Sequence, residues 1–196
     1  MTSNALVDWN AKRASRIALA WQMHATVTSS STPTWHTDDA LAVVLQRMAT
    51  EFQGYCRSLH DEASEILGLH TAKGNPSLED LLRRLLTSQR DLDRGNANVN
   101  AIAKDFSRFG FTFWPTLTKA DSRAGVWQRE LGKLIEMRNC VAHDNEAKLQ
   151  ALAREGYVLD PPTLQKWEKV LNGIAVLMDD VVGLSLGALL RIPRPW

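Results

Sequence analysis

One arginine and one histidine, five residues apart, form the part of this sequence best suited to chemistry: Arg138-Asn139-Cys140-Val141-Ala142-His143. A guanidinium offers a rigid fork of donors that grips a phosphate or carboxylate. Histidine, with an ordinary pKa of about 6.5, moves protons near neutral pH. Together the two can hold an anion and transfer a proton beside it. Asn139 stands four residues before His143, on the same side of a helix, where it can orient the imidazole or bond a substrate. Other groupings are weaker. Cys140 and His143 have the spacing of a thiol–imidazole pair, but cysteine is often just a small buried residue. Cys140, His143 and Asp144 are ligand types with no second cluster at zinc spacing, so no metal site is expected. Cys56 and His60, four apart, suit packing. Arg57, His60 and Glu62 are candidates to line a cleft opposite the 138–143 stretch, Arg57 and His60 as substrate-binding groups.

The helix that carries this stretch is expected to start near Arg123. With Leu131 at zero on a wheel turning about 100° per residue, Trp127, Ile135 and Ala142 fall within about 40° and mark the buried stripe. Arg138 falls at about −20°, near its centre. Arg129, Lys133 and Glu136 lie on the far side, and Cys140 faces away from the stripe. A charge aimed at a core is costly unless paired. Arg138 therefore pairs with a core carboxylate, sits in a subunit interface, or faces a cleft that receives an anion. His143 lies at about 120°, about 7.5 Å further along the axis.

The rest of the chain reads as helices. An amphipathic segment covers Ala5 to Met23, and the Ser/Thr-rich stretch Thr26 to Thr34 reads as a loop. A long helix begins near Thr37, with Asp38 and Asp39 in its first turn, and ends near Gly68; Gly54 is a place for it to bend. After the turn Lys73-Gly74-Asn75-Pro76, Ser77 and Asp80 resemble a capping box, and Leu78, Leu81, Leu82, Leu85 and Leu86 follow helical spacing. A polar break at Gly95-Asn96 precedes a helix from Val99 to Phe109. Gly110 to Thr118 reads as a packed aromatic loop, with a short strand at Phe111 to Trp114 as the alternative. A polar helix, Glu146 to Arg154, extends or follows the 138–143 helix. Pro161-Pro162 closes that unit, and Thr163 caps a last helix whose Leu164, Trp167, Leu171, Ile174, Met178 and Val181 make a bundle-type stripe. The fold class expected is all-α, a bundle of five to seven helices. Residues 1–36 form an N-terminal helix and linker, and residues 37–196 the bundle.

Composition fits that class. Hydrophobic residues make up 44% of the chain and charged residues 23%, ordinary for a globular protein. Two cysteines, Cys56 and Cys140, rule out a disulfide framework and favour a reducing, cytoplasmic setting. Asp8, Lys12, Arg13 and Arg16 interrupt any signal-like apolar run. Leu171 to Leu190 is the most apolar stretch, but Asp179 and Asp180 stand in its middle, so a buried helix is expected and no membrane partner. Net charge is only +1, yet residues 83–138 hold 11 Lys/Arg against 6 Asp/Glu. A basic middle of this kind can attract phosphate, although ordinary solvated helix faces give the same counts.

The stretch Arg138 to His143 resembles the Arg-x4-6-His signature of the HEPN superfamily, in the form with Asn after Arg and Ala before His that is common in its ribonuclease branches. Those branches include toxins of toxin–antitoxin pairs, antiviral defence effectors and the nuclease domain of ribonuclease L. The resemblance spans about Thr37 to Leu190, with residue-level specificity only at 138–143. It implies a HEPN-like bundle and a metal-independent endoribonuclease with no cofactor. His143 would be the general acid or base, Arg138 would bind phosphate and stabilise the transition state, and Asn139 would position them. The RNA 2′-hydroxyl would be the nucleophile. The implied partners are RNA, a second copy completing a composite active site, and an antitoxin or regulatory protein. Where toxins paired with nucleotidyltransferase antitoxins carry a tyrosine two residues after the histidine, this chain has Asn145, so control by tyrosine modification is not implied. The alternative is a non-catalytic helical module that binds RNA or protein.

Overall fold

Two long helices carry the architecture. The computed structural model describes residues 1–29 and 34–196, and among these the secondary structure is entirely helical. The α-helical segments are α1 (Asn4–Asp8), α2 (Ala14–Ser29), α3 (Thr34–Ala72), α4 (Pro76–Thr87), α5 (Val99–Phe106), α6 (Phe113–Ala120), α7 (Ala124–Ala142), α8 (Glu146–Arg154) and α9 (Pro161–Leu190). A π-helical turn, Trp9–Arg13, joins α1 to α2 as one rod. The described segments thus exceed the expected five to seven helices. The core lies where α3 and α9 pack together, with α7 against both.

The N-terminal rod belongs to this core rather than to a separate arm. Leu6, Trp9 and Ile17 are buried in the same cluster as Phe52, Tyr55 and Leu171. The division at residues 36 and 37 therefore does not describe the packing. Trp9 donates through Nε1 to Asn172 Oδ1 at 2.9 Å, and Tyr55 donates its hydroxyl to the Ala175 carbonyl at 2.6 Å. Gly54 is a place of close approach: a Cβ there would lie 2.1 Å from Arg13 Nη1. Arg13 uses that space to reach Glu51 and Ser58.

Several boundaries differ from the sequence reading for local reasons. Thr26 to Ser29 belongs to α2, whereas residues 30–33 lie outside the described residues. The long helix begins at Thr34 and runs past Gly68 to Ala72. Gly68 lets α4 come close, with the Glu79 carbonyl 3.4 Å from where a Cβ would stand. Asn75, not Ser77, caps α4, accepting from the amides of Ser77 and Leu78. Asp160, not Thr163, caps α9; its carboxylate takes the Thr163 amide at 2.8 Å. The aromatic stretch after Gly110 forms α6, because Pro115 sits in a first turn that has no use for its missing N–H.

By length and composition α9 could cross a membrane, yet it supplies the buried Trp167, Leu171, Ile174, Met178 and Val182. Its central acid has a structural reason. Buried Asp179 accepts the Ser3 amide at 3.1 Å, the Ser3 hydroxyl, and Arg194 Nη2 at 2.8 Å, fastening both chain ends to α9.

Candidate functional site

The end of α7 is set by a Schellman arrangement. The Asn145 amide bonds the Cys140 carbonyl at 2.9 Å and the Asp144 amide the Val141 carbonyl at 3.4 Å. His143 is the C-cap, and Asp144 takes the left-handed conformation at φ 50° that glycine usually supplies. Asn145 then caps α8 by accepting from the Lys148 amide at 3.1 Å. So α8 is a new helix, and His143 sits at the corner between the two. Its side chain is exposed, with no hydrogen-bond partner among the described residues.

Around that corner lies a recess of about 160 Å³ lined by Glu136, Asn139, Cys140, His143, Asn145 and Lys148. Asn139 joins it to Arg138. The Asn139 carboxamide oxygen accepts from Arg138 Nη1 at 3.2 Å and from Asn96 Nδ2 at 2.7 Å. Gln46 of α3 reaches the Arg138 carbonyl at 3.5 Å. Among the described residues no carboxylate pairs with Arg138, and its buried Nε has no hydrogen-bond partner. The first of the three explanations for this arginine, a core carboxylate, does not hold. A cation without a carboxylate partner retains the capacity to bind an anion.

The wheel places these residues imperfectly. Arg138 is half-buried and Ala142 is exposed, while Cys140, which the wheel turns away from the core, is buried at 3% exposure. Packed helices cross at an angle, so the buried strip drifts around α7. It passes from Leu131 and Ile135 to Met137 and Cys140 in the last turn. Trp127 is half-buried, with Arg123 over its ring at 4.8 Å and its edge in the space left by Gly173. Asn139 does not orient the imidazole; its oxygen is held by Arg138 and Asn96. Arg138 does not itself line the recess that holds His143 but reaches it through Asn139.

Of the two residues expected to bind substrate, His60 is corrected. His60 is fully buried against Phe106 and Phe109. Its Nδ1 accepts from Arg90 Nη1 at 3.1 Å, and its Nε2 donates to the Asp105 carbonyl at 3.1 Å. Burial, aided by the Arg90 charge, pushes its pKa down to about 4. It is a neutral core histidine out of reach of substrate. Arg57 is exposed but pairs with Asp93 at 3.0 Å. Glu62 holds the first turn of α1 through the amides of Asn4 and Ala5. Burial also pushes the Cys56 thiol up, away from reactivity. Cys140, His143 and Asp144 do not assemble as a ligand group; among the described residues no set of three or more His, Cys, Asp or Glu is placed to hold a metal.

Asn96, Gln46 and Lys148 are the neighbours that sequence reasoning misses. Asn96 lies in a polar break and Lys148 on a solvated helix, and neither context marks one asparagine or lysine above another. Compared with protein-family models, curated protein sequences and solved structures, the chain finds no match.

Proposed function

We propose that this chain is an endoribonuclease of the HEPN type that cleaves RNA without a metal ion, as a toxin or antiviral defence effector. The observation that carries the reading is a half-buried arginine without a carboxylate partner near an exposed imidazole at the end of α7. Arg138 has a buried donor and no carboxylate among the described residues; His143 has a free imidazole at a helix corner. The buried Nε atoms of Arg13 and Arg194 also lack a partner, but those arginines are ion-paired with Glu51 and Asp179, whereas Arg138 pairs with no carboxylate among the described residues.

In the proposed reaction the imidazole of His143 takes the proton of a ribose 2′-hydroxyl. The 2′-oxygen attacks the adjacent phosphorus, forming the P–O2′ bond. The P–O5′ bond breaks, and the leaving oxygen takes a proton from an imidazolium. The products are a 2′,3′-cyclic phosphate and a 5′-hydroxyl. Arg138 holds a non-bridging oxygen and meets the charge that grows there. Asn139, with its oxygen already bonded twice, keeps its amide N–H groups for the substrate. Because Arg138 does not line the recess that holds His143, the reading places a second copy across α7, so that Arg138 of one chain serves His143 of the other.

The test is cleavage of a single-stranded RNA in EDTA. Wild type should cut it, an all-2′-deoxy oligonucleotide should resist, and folded Arg138→Ala and His143→Ala proteins should lose activity. Equimolar mixing of those two variants should restore about one quarter of wild-type activity, since half the dimers are mixed and each mixed dimer holds one complete site. Variants that cut like wild type would remove both residues from the reaction. RNA bound but never cut would favour the non-catalytic module.

A further inference from the structure

The solvated face of α7 leads to His143. On a helical wheel Gly125, Arg129, Gly132, Glu136 and Asn139 all fall within about 40° of His143. Between this face and the start of α5 runs a groove of about 440 Å³, lined by Val99, Gln128, Arg129, Gly132, Lys133 and Glu136. Glu136 also lines the recess that holds His143, so the two hollows meet at that side chain. Arg129 and His143 lie about 21 Å apart along the helix axis.

The charge of this path is positive. Most cations between residues 83 and 138 are ion-paired: Arg83 and Arg84 with Asp80, Arg90 with Asp61 and Asp93, Lys104 with Asp91, Arg123 with Asp121. The exposed Arg129, like Arg138, has no carboxylate among the described residues. Neither has the side chain of Lys148, on the α8 bank of the recess. Glu136, the acid in the lining, is held by Lys133 at 3.1 Å. The floor is bare backbone at Gly132, where a Cβ would meet only a Val99 methyl at 4.0 Å. Glycine inside a helix is costly relative to alanine, and packing within this chain does not require it here.

We infer that this groove holds the backbone of single-stranded RNA as it leads away from the phosphate at His143, with Arg129 on a phosphate several nucleotides along. The inference rests on the ribonuclease reading and adds the path of its substrate. Arginine grips a phosphate through its fork of donors. Gln128 and the Asn139 amide N–H groups can bond sugars or base edges along the way. A protein partner fits less well, because interface cores are depleted in charge and Val99 is the apolar side chain of an otherwise polar or bare lining. A second copy meeting the chain at the His143 corner leaves the groove open, since the groove runs from that corner toward the start of α7.

Fluorescence anisotropy of a labelled single-stranded RNA of about a dozen nucleotides tests this, with cleavage of the same RNA in EDTA measured alongside. Binding is read in a His143→Ala chain, which should leave the RNA uncut. There Arg129→Glu should weaken binding about tenfold. Arg129→Gln should flatten the fall of log K with log salt by about 0.7, the value of one phosphate contact on a single strand. In the cleaving chain Arg129→Glu should raise KM for the long RNA to a similar degree. A dinucleoside monophosphate is too short to span from His143 to Arg129, and its KM should barely move. Gly132→Gln, a better helix former that fills the floor without changing charge, should also raise KM for the long RNA. If wild type cuts and Arg129→Glu binds and cuts the long RNA equally well, the groove is overturned and the ribonuclease reading stands. RNA held through Arg129 but never cut would keep the groove and remove the ribonuclease. Equal losses on long and short substrates would overturn the path by placing Arg129 at the reacting phosphate. A change in sedimenting mass with Arg129→Glu would assign the groove to a protein interface instead.

Discussion

The fold contains two arginine–histidine pairs with opposite characters. In the core, Arg90 bonds His60, Asp61 and Asp93 through its three nitrogens, and both nitrogens of His60 are occupied. At the end of α7, Arg138 bonds only the Asn139 carboxamide and His143 bonds nothing among the described residues. The side chains are the same; the satisfaction of their hydrogen bonds differs. A closed network rigidifies and needs nothing further. An open one retains binding capacity, at a cost in stability that the remainder of the fold must offset.

Exchanging the two arginines for alanine should break this contrast most sharply. Arg90→Ala takes the ion-pair partner from Asp61, one of two from Asp93, and the guanidinium donor from the buried Nδ1 of His60. Partial exposure of the carboxylates softens the loss, to about 3 kcal/mol. Urea unfolding would read it. Arg138→Ala removes a buried donor that has no partner, so its stability should stay within about 1 kcal/mol of wild type. RNA cleavage by that variant should fall about 10²–10³-fold. Equal destabilisation by both changes would make the end of α7 a structural element and remove the contrast.

Acid should act next on the closed pair. The folded pKa of His60, about 4, lies below the unfolded value of about 6.5. Between these pH values the unfolded chain binds a proton that the native chain refuses. The contribution of neutral His60 is thus complete above pH 6.5 and is lost as pH falls toward 4, amounting to about 3 kcal/mol. In His60→Gln an amide can accept from Arg90 and donate to the Asp105 carbonyl without titrating. Its urea midpoint should be flat between about pH 6.5 and about pH 5, where the wild-type midpoint declines. Parallel curves would mean that burial and the Arg90 charge do not hold His60 neutral in the folded chain.

The sequence shows the two pairs unequally, for physical reasons. Helical periodicity marks α9 well: every stripe residue from Leu164 to Val181 is buried, because one long helix in the centre of a bundle keeps one face inward. The same reasoning misplaces the last turn of α7, where the crossing angle with α3 and α9, invisible in a single helix, turns Cys140 inward and Ala142 outward. The corner after His143 is hidden because Asp144 stands where a glycine would have announced a stop. His60 looks available because its partner Arg90 is 30 residues away, and spacing along the chain carries no sign of a contact across it. The motif residues themselves are legible by type, but the carboxylate-free setting of Arg138 is not, since it depends on what α3 and the 91–98 segment fail to supply.

Asn96 offers the finest probe of the open pair. Its Nδ2 donates to the oxygen that also takes Arg138 Nη1, so one carboxamide oxygen fixes both neighbours. Asn96→Ala deletes one neutral hydrogen bond between half-buried groups, and the stability lost should be about 1 kcal/mol. If Asn139 positions Arg138 for phosphate, the loosened carboxamide should lower kcat for RNA several-fold and leave KM nearly unchanged, because initial binding still has the Arg138 charge. Asn96→Asp should go the other way for the guanidinium. A carboxylate placed beside Asn139 would draw Arg138 into an ion pair and weaken RNA binding, raising KM. If neither substitution changes kcat or KM while both lower stability alike, the Asn96–Asn139–Arg138 chain is only a brace for the loop, and the open pair works without it.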